Sequence, residues 1–159
     1  MADPDTPATV AARQAGLTFE VVRMPRPPGS AEDSAEMQGL RLGDLLRTIV
    51  VRRRADDYVF VLVPGGRQID WPKLRAHLGV RKMSLPDQDE AKAVTGYERG
   101  AITPFGATTA WPVVADATID PEATVAIGGG MRGVNLHVRG ADLLVAVGAD
   151  VADISKDDG

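Results

Sequence analysis

The chain contains no cysteine, which excludes disulfides, thiolate metal sites and a cysteine nucleophile. His77 and His137 are its only histidines, so a histidine-rich metal site is excluded and any Ser-His-Asp triad would rest on one of these two. Both read more simply as surface or strand-face residues. No apolar run approaches the roughly 18 to 20 residues that span a bilayer, and MADPDTPATV lacks a basic region followed by an apolar one. A cytoplasmic protein with no membrane partner is expected. Internal repeats and low-complexity segments are also missing.

What remains is 159 residues with 44% hydrophobic content, enough for one sizeable core and too little for two ordinary domains. The formal net charge of −4 argues against binding nucleic acid by overall charge, and no DNA partner is expected. The distribution is uneven, however. Arg41, Arg47, Arg52, Arg53 and Arg54 face only Asp44 within their stretch, which forms either a basic patch able to meet phosphates or a solvated strand end and turn.

Residues 1–8 are polar and read as a disordered start, residues 155–159 as a frayed end, and residues 9–154 as a single domain. Val10 to Ala15 predicts a short helix stopped by Gly16, and Leu17 to Met24 a first strand. Ser30 caps a helix running through Met37, with Gly39 beyond its end. LLRTIVVRR (45–53) and YVFVLV (58–63) predict an antiparallel hairpin. Asp70 caps a helix opening with Trp71 and Pro72 and ending at Gly79, because proline is tolerated where the N–H lacks an intrahelical partner. A helix over Asp87 to Val94 precedes short strands near 113–114, 124–127 and 134–138. A helix at 142–147 and a strand at 151–154 close the chain. The expected class is α+β, with a mixed, largely antiparallel sheet and flanking helices.

Three segments resist explanation as packing alone. TGYERGAITPFG (95–106) is long for a connection, and its glycines allow close approach of a ligand to the main chain, although a compact surface loop fits as well. IGGGMRG (127–133) runs from a strand into three glycines whose N–H groups can form an anion nest, or else a plain hairpin. It is not a P-loop, since GxxxxGK[ST] is absent and a strand follows. The third is the core strand, where alternation puts Arg47 with Leu45, Ile49 and Val51, and Thr48 with Leu46 and Val50. A guanidinium among apolar neighbours needs a carboxylate, a phosphate or a water-filled cavity. Asn135 shares a strand face with His137 and stands close to the glycine turn, either orienting a polar ligand or lying on the surface.

In this order the segments resemble the YbaK family of free-standing aminoacyl-tRNA deacylases and prolyl-tRNA synthetase editing domains. The likeness rests on LLRTIVV, VLVPGGRQIDWPKLRAHLG, TGYERGAITPFG and IGGGMRGVNLHV followed by ADLL, and covers roughly residues 17–154. Its most specific piece is the GxxxP loop at Gly100 to Pro104. The resemblance implies a single editing-like domain, no cofactor or metal, and a pocket for the aminoacylated acceptor end of a tRNA, with a synthetase as a further partner. It implies catalytic roles for Arg47, Gly128, Gly129 and Gly130, the glycine amides stabilising an oxyanion. Substrate contacts are implied for Met24, Thr48, Gly100, Ile102, Thr103, Pro104, Phe105 and Asn135. Arg47 stands where lysine is usual, and it binds oxygen without serving as a base. Met24 and Asn135 replace the tyrosine and aspartate of members specific for cysteinyl-tRNA. Water attack on the ester of a mischarged tRNA is the implied reaction, assisted by groups of the substrate. A binding module for a tRNA end, nucleotide or synthetase is the alternative.

Overall fold

A computed structural model describes residues 4–158 of the chain. The helices are α1 (Pro7–Gln14), α2 (Ala31–Met37), α3 (Trp71–Leu78), α4 (Gln88–Thr95) and α5 (Gly140–Ala146). The strands are β1 (Glu20–Arg23), β2 (Leu46–Arg54), β3 (Asp57–Pro64), β4 (Arg67–Ile69), β5 (Val113–Asp116), β6 (Thr124–Gly128), β7 (Val134–Arg139), β8 (Asp150–Ala152) and β9 (Ser155–Asp157). No helix among the described residues is long and apolar enough to cross a membrane.

The predicted hairpin is present: β2 and β3 pair antiparallel from Leu46↔Pro64 to Arg54↔Asp57, with Asp56 at the turn in the left-handed region (φ 58°). Beyond β3 the sheet becomes parallel, in the order β2-β3-β5-β8. A second, antiparallel sheet has the order β1-β7-β6, and a short ladder joins β4 to β9. The class is α+β with mixed, largely antiparallel sheets, as expected.

YVFVLV forms a strand because it is covered on both faces, which is why it shows no polar alternation. Tyr58, Phe60 and Leu62 enter a cluster with Leu46, Val50, Ile127, Leu136 and Leu143. Val59, Val61 and Val63 enter another with Val51, Ile69, Leu74 and Ile154 under α3. Each fully buried Val, Leu, Ile or Phe contributes about 1.5–3 kcal/mol, so this strand anchors the fold. Between the two larger sheets, Leu45 bridges Ala126 in parallel. Both sheets therefore meet at the start of β2, which is where the sequence placed Arg47 and Thr48.

Two expectations need correction. Residues 1–3 and 159 lie outside the described residues, but the remainder of the expected disordered start is ordered. Thr6 caps α1 through a reciprocal box with Thr9, and Ala8, Thr9 and Ala12 are buried. Its second anchor is distant in sequence: the Thr6 hydroxyl donates to the Gly129 carbonyl oxygen at 2.6 Å. The expected frayed end is also structured, because Ser155 to Asp157 pairs with β4 and Ser155 is buried. Of the two readings of the arginine run, the fold favours the solvated strand end and turn, since most of its arginines meet acids. Arg41 meets Asp44 and Asp120, Arg52 meets Glu90, and Arg53 and Arg54 share Asp57.

Candidate functional site

Alternation along β2 turns Leu46, Thr48 and Val50 toward the second sheet and Arg47, Ile49 and Val51 toward α3. Leu46 and Val50 are buried, while Thr48 borders a cavity of about 490 Å³. That size falls within the range of small-ligand clefts, roughly 300–1,000 Å³. Its apolar wall includes Leu45, Leu46, Ile49, Val50, Leu85, Pro86 and Ala91. Arg47, Thr48, Arg99, Gly100, Ile102, Gly128 and Asn135 complete the lining, which contains no carboxylate, histidine or thiol.

Local bonding explains each wall. Arg52 and Ser84 exchange main-chain hydrogen bonds of 2.9 and 3.0 Å, and this pins the Leu85–Pro86 segment beside β2. Asp87 caps α4 by accepting from the Glu90 N–H at 2.8 Å, so α4 leaves the cavity edge at a fixed angle. The loop after α4 is tied back on itself. Thr108 N–H donates to the Thr95 carbonyl, Trp111 Nε1 to that of Val94, and the Tyr97 hydroxyl to that of Phe105 at 2.6 Å. Burial pushes the Tyr97 phenol up to about 12, which keeps it a donor at neutral pH.

Within this loop, Ala101 N–H donates to the Glu98 carbonyl at 2.9 Å and Gly100 has φ +90°. That is the third position of a type II turn, open at little cost only to glycine. The turn presents Gly100 and Ile102 to the cavity. Thr103 and Phe105 instead turn inward: Thr103 is fully buried, with its hydroxyl accepting from Phe105 N–H at 3.4 Å, and Phe105 joins the core. Pro104 is half-buried between them and does not line the cavity. The GxxxP loop thus divides into a cavity-facing first half and a core-facing second half.

The glycine turn divides in the same way. Gly129 N–H donates to the Val134 carbonyl at 2.9 Å, which makes Gly128 and Asn135 a non-hydrogen-bonded pair in the β6–β7 register. Gly128 therefore directs its main-chain polar groups away from β7, on the side of β2, and both members of the pair border the cavity. A Cβ on Gly128 would lie 3.1 Å from the Ile102 carbonyl oxygen, so the absent side chain lets the two loops meet. The amide of Gly129 is already used within the hairpin. Gly130 packs under the N-terminus, where a Cβ would come within 3.0 Å of both Ala8 and Tyr97. Of the three glycines of the expected nest, Gly128 is the one among the residues lining the cavity.

Arg47 corrects another expectation. It shares the Val51 face, but α3 covers that face only farther along the strand, so the guanidinium is exposed rather than buried and donates to the Arg67 carbonyl oxygen. It still borders the cavity. Met24 lies outside it: the residue is half-buried and its N–H donates to the Gly133 carbonyl at 2.7 Å.

Of the residues singled out in the sequence, the structure unites Arg47, Thr48, Gly100, Ile102, Gly128 and Asn135. Sequence reasoning missed Leu85, Pro86, Ala91 and Arg99. Arg99 carried a visible signal, a cation inside a glycine-rich loop; the others reach the site through pairing that local pattern does not encode. Thr48 has the least ordinary state, since its hydroxyl oxygen is buried with no hydrogen-bond partner among the described residues. His137 is half-buried against Gln38, its Nε2 2.9 Å from the Gln38 Oε1. Burial lowers its pKa and Glu20 partly opposes this. Among the described residues no group of three or more potential ligands is placed to hold a metal ion.

Comparison with known proteins accords with this geometry. The family model of the aminoacyl-tRNA editing domain matches residues 27–145. The multifunctional Ser/Thr-tRNA deacylase ProXp-y of Escherichia coli (strain K12) is 27% identical over 135 residues, covering 82% of this chain and 80% of that one. EbsC of Enterococcus faecalis, a proposed Cys-tRNA(Pro)/Cys-tRNA(Cys) deacylase, is 25% identical over 126 residues, covering 79% of this chain and 77% of that one. The fold also matches the crystal structure of a proposed trans-editing enzyme for prolyl-tRNA synthetase. That match has a TM-score of 0.87 at 23% identity and covers 97% of this chain and 99% of that one. With three quarters of its length matched and every segment of the cavity wall inside or beside the matched span, the chain belongs to the aminoacyl-tRNA editing domain family.

Proposed function

We propose that this protein hydrolyses the ester of a mischarged aminoacyl-tRNA in trans, with the terminal aminoacyl-adenosine held in the cavity between β2, the Gly100 turn and the end of β6. The observation that carries this reading is the partnerless Thr48 hydroxyl at the cavity wall. Leaving such a group unsatisfied costs about 1–3 kcal/mol, which a polar substrate atom would recover.

The reaction requires water to attack an ester carbonyl and an oxyanion to be held as it forms. With no carboxylate, histidine or thiol in the lining, positioning and electrostatics carry the step, assisted by a hydroxyl or amine of the substrate. Gly128 is the candidate for directing a main-chain amide at the oxyanion. The N–H groups of Gly100 and Ile102 have no partner among the described loop hydrogen bonds and can supplement it. Arg47 supplies positive charge at the rim for a carbonyl or phosphate oxygen; it is not a base. Asn135 and Thr48 offer polar contacts to a short side chain. Together with the relative that acts on Ser/Thr-tRNA, they favour seryl- and threonyl-tRNA over larger apolar groups. A synthetase could deliver such substrates, and co-purification with one would extend the reading.

The test is a deacylation panel of alanyl-, seryl-, threonyl- and cysteinyl-tRNA with wild type and Arg47→Ala. Wild type should release serine or threonine, and the variant should lose about 10- to 100-fold in kcat/KM, the loss of roughly 1.4–2.8 kcal/mol of transition-state stabilisation. Binding without hydrolysis of any member would identify a tRNA-end binding module instead.

A further inference from the structure

A terminal nucleoside reaches a cavity only by way of the phosphodiester that precedes it, so the charge at the cavity mouth bears on how an RNA strand enters. Although the molecule is acidic overall, with a net charge of −4, no acidic residue lines the cavity. The arginines of the 41–54 run other than Arg47 are each paired with a carboxylate. Two further arginines, Arg99 in the cavity lining and Arg132 beside Gly100, have no acidic partner among the described residues. Arg99 stands at the second position of the turn, beside Gly100. Arg132 reaches over from the β6–β7 hairpin and donates Nε to the Arg99 carbonyl at 3.2 Å. Its side chain passes over Gly100, with Nε 3.6 Å from where a Cβ would stand. Glu98, the nearest acid along the chain, faces Lys92 at 3.7 Å.

The Arg132–Arg99 bond engages only Nε of the Arg132 fork, so its remaining N–H groups stand, without a partner among the described residues, beside the turn that carries Arg99. The planar fork of each arginine matches phosphate oxygens. We propose that Arg99 and Arg132 form a phosphodiester-binding rim that receives the single-stranded RNA leading into the cavity. This rests on the proposed aminoacyl-tRNA reading and adds to it the element that holds the RNA backbone.

The rim is tested by binding of a short single-stranded RNA ending in CCA, uncharged with amino acid, across a salt series. Arg99→Gln keeps the Arg132 brace, which uses the Arg99 main-chain carbonyl, and so separates charge from loop structure. It should weaken binding several-fold and reduce the slope of log K against log salt by about 0.7, the value for one phosphate contact on a single strand. Adding Arg132→Gln should bring the total loss to about tenfold or more and roughly double the change in slope. Arg99→Lys should restore most of the slope. Arg75→Gln, an exchange on α3, should change neither quantity.

Wild-type affinity and slope in both rim variants would overturn the proposal, as would an equal loss in Arg75→Gln or no binding by wild type. The two readings fail separately. Deacylation by wild type with RNA binding unaffected by the rim variants removes the rim alone. No deacylation of any panel member, with binding lost in the rim variants, removes the hydrolase reading and leaves the rim.

Discussion

Gly128 and Gly130 stand two residues apart in one strand end and turn, yet the fold uses their missing side chains for opposite purposes. At Gly128 the space admits the Ile102 carbonyl and borders the cavity. At Gly130 the space is filled by α1 and the Tyr97 ring. The same division recurs between Gly100, at the mouth, and Gly106, which lies so close to the Pro7 carbonyl that a Cβ would overlap it. A glycine-rich segment near a site is therefore not uniformly a ligand loop. One half meets the cavity and the other half fixes that loop to the core.

Substitutions can break this comparison from the structural side first. Gly106→Val should have the largest effect, since it adds overlap with main chain at a position with φ +69°. A loss of about 3 kcal/mol is expected, read in thermal denaturation as a fall in Tm of roughly 6–12 °C at about 2–4 °C per kcal/mol for a chain of this size. Thr6→Val comes next. It removes the α1 cap and leaves the buried Gly129 carbonyl without its 2.6 Å donor, so a loss of about 1–2 kcal/mol is expected in urea denaturation. If Thr6→Val were neutral, the N-terminal helix would not support the glycine turn.

A smaller effect comes from β7, where His137 stands opposite Ala126 in the ladder that leads into the glycine turn. Burial lowers the pKa of His137 in the folded protein, so the unfolded chain takes up a proton first as pH falls. The neutral-state contribution is complete above about 6.5, the unfolded value, and is lost as pH drops below it toward the lower native value. His137→Gln should flatten the fall in Tm as pH drops below about 6.5, and an unchanged slope would assign that fall to other groups.

The sequence was most informative where local chemistry decides. Ser30 and Asp70 cap the helices that follow them, and Gly79 ends α3 in the left-handed conformation. Period-two alternation placed Thr48 on the cavity face and Asn135 opposite the buried Val134, Leu136 and Val138. Pairing between distant short segments was not legible. β4 and β9 are three residues each, SKD has no apolar pattern, and their register joins Arg67 to Asp157. The parallel joins of β5 to β3 and β8 similarly depend on crossovers rather than turns. At the site, the residues that face the cavity were separable from Thr103 and Phe105 only once Tyr97 was seen to bond the Phe105 carbonyl. The exposure of Arg47 depended on how far α3 covers β2.

The most direct test of the cavity as the site of ester hydrolysis is the kcat/KM of Gly128→Val on seryl- and threonyl-tRNA, measured beside its thermal denaturation. The added side chain displaces the Ile102 carbonyl, and with it the loop that lines the cavity, without requiring a left-handed backbone. The account predicts a loss of about 100-fold or more in turnover with a cooperative unfolding transition retained. A folded Gly128→Val that deacylates at the wild-type rate would contradict it.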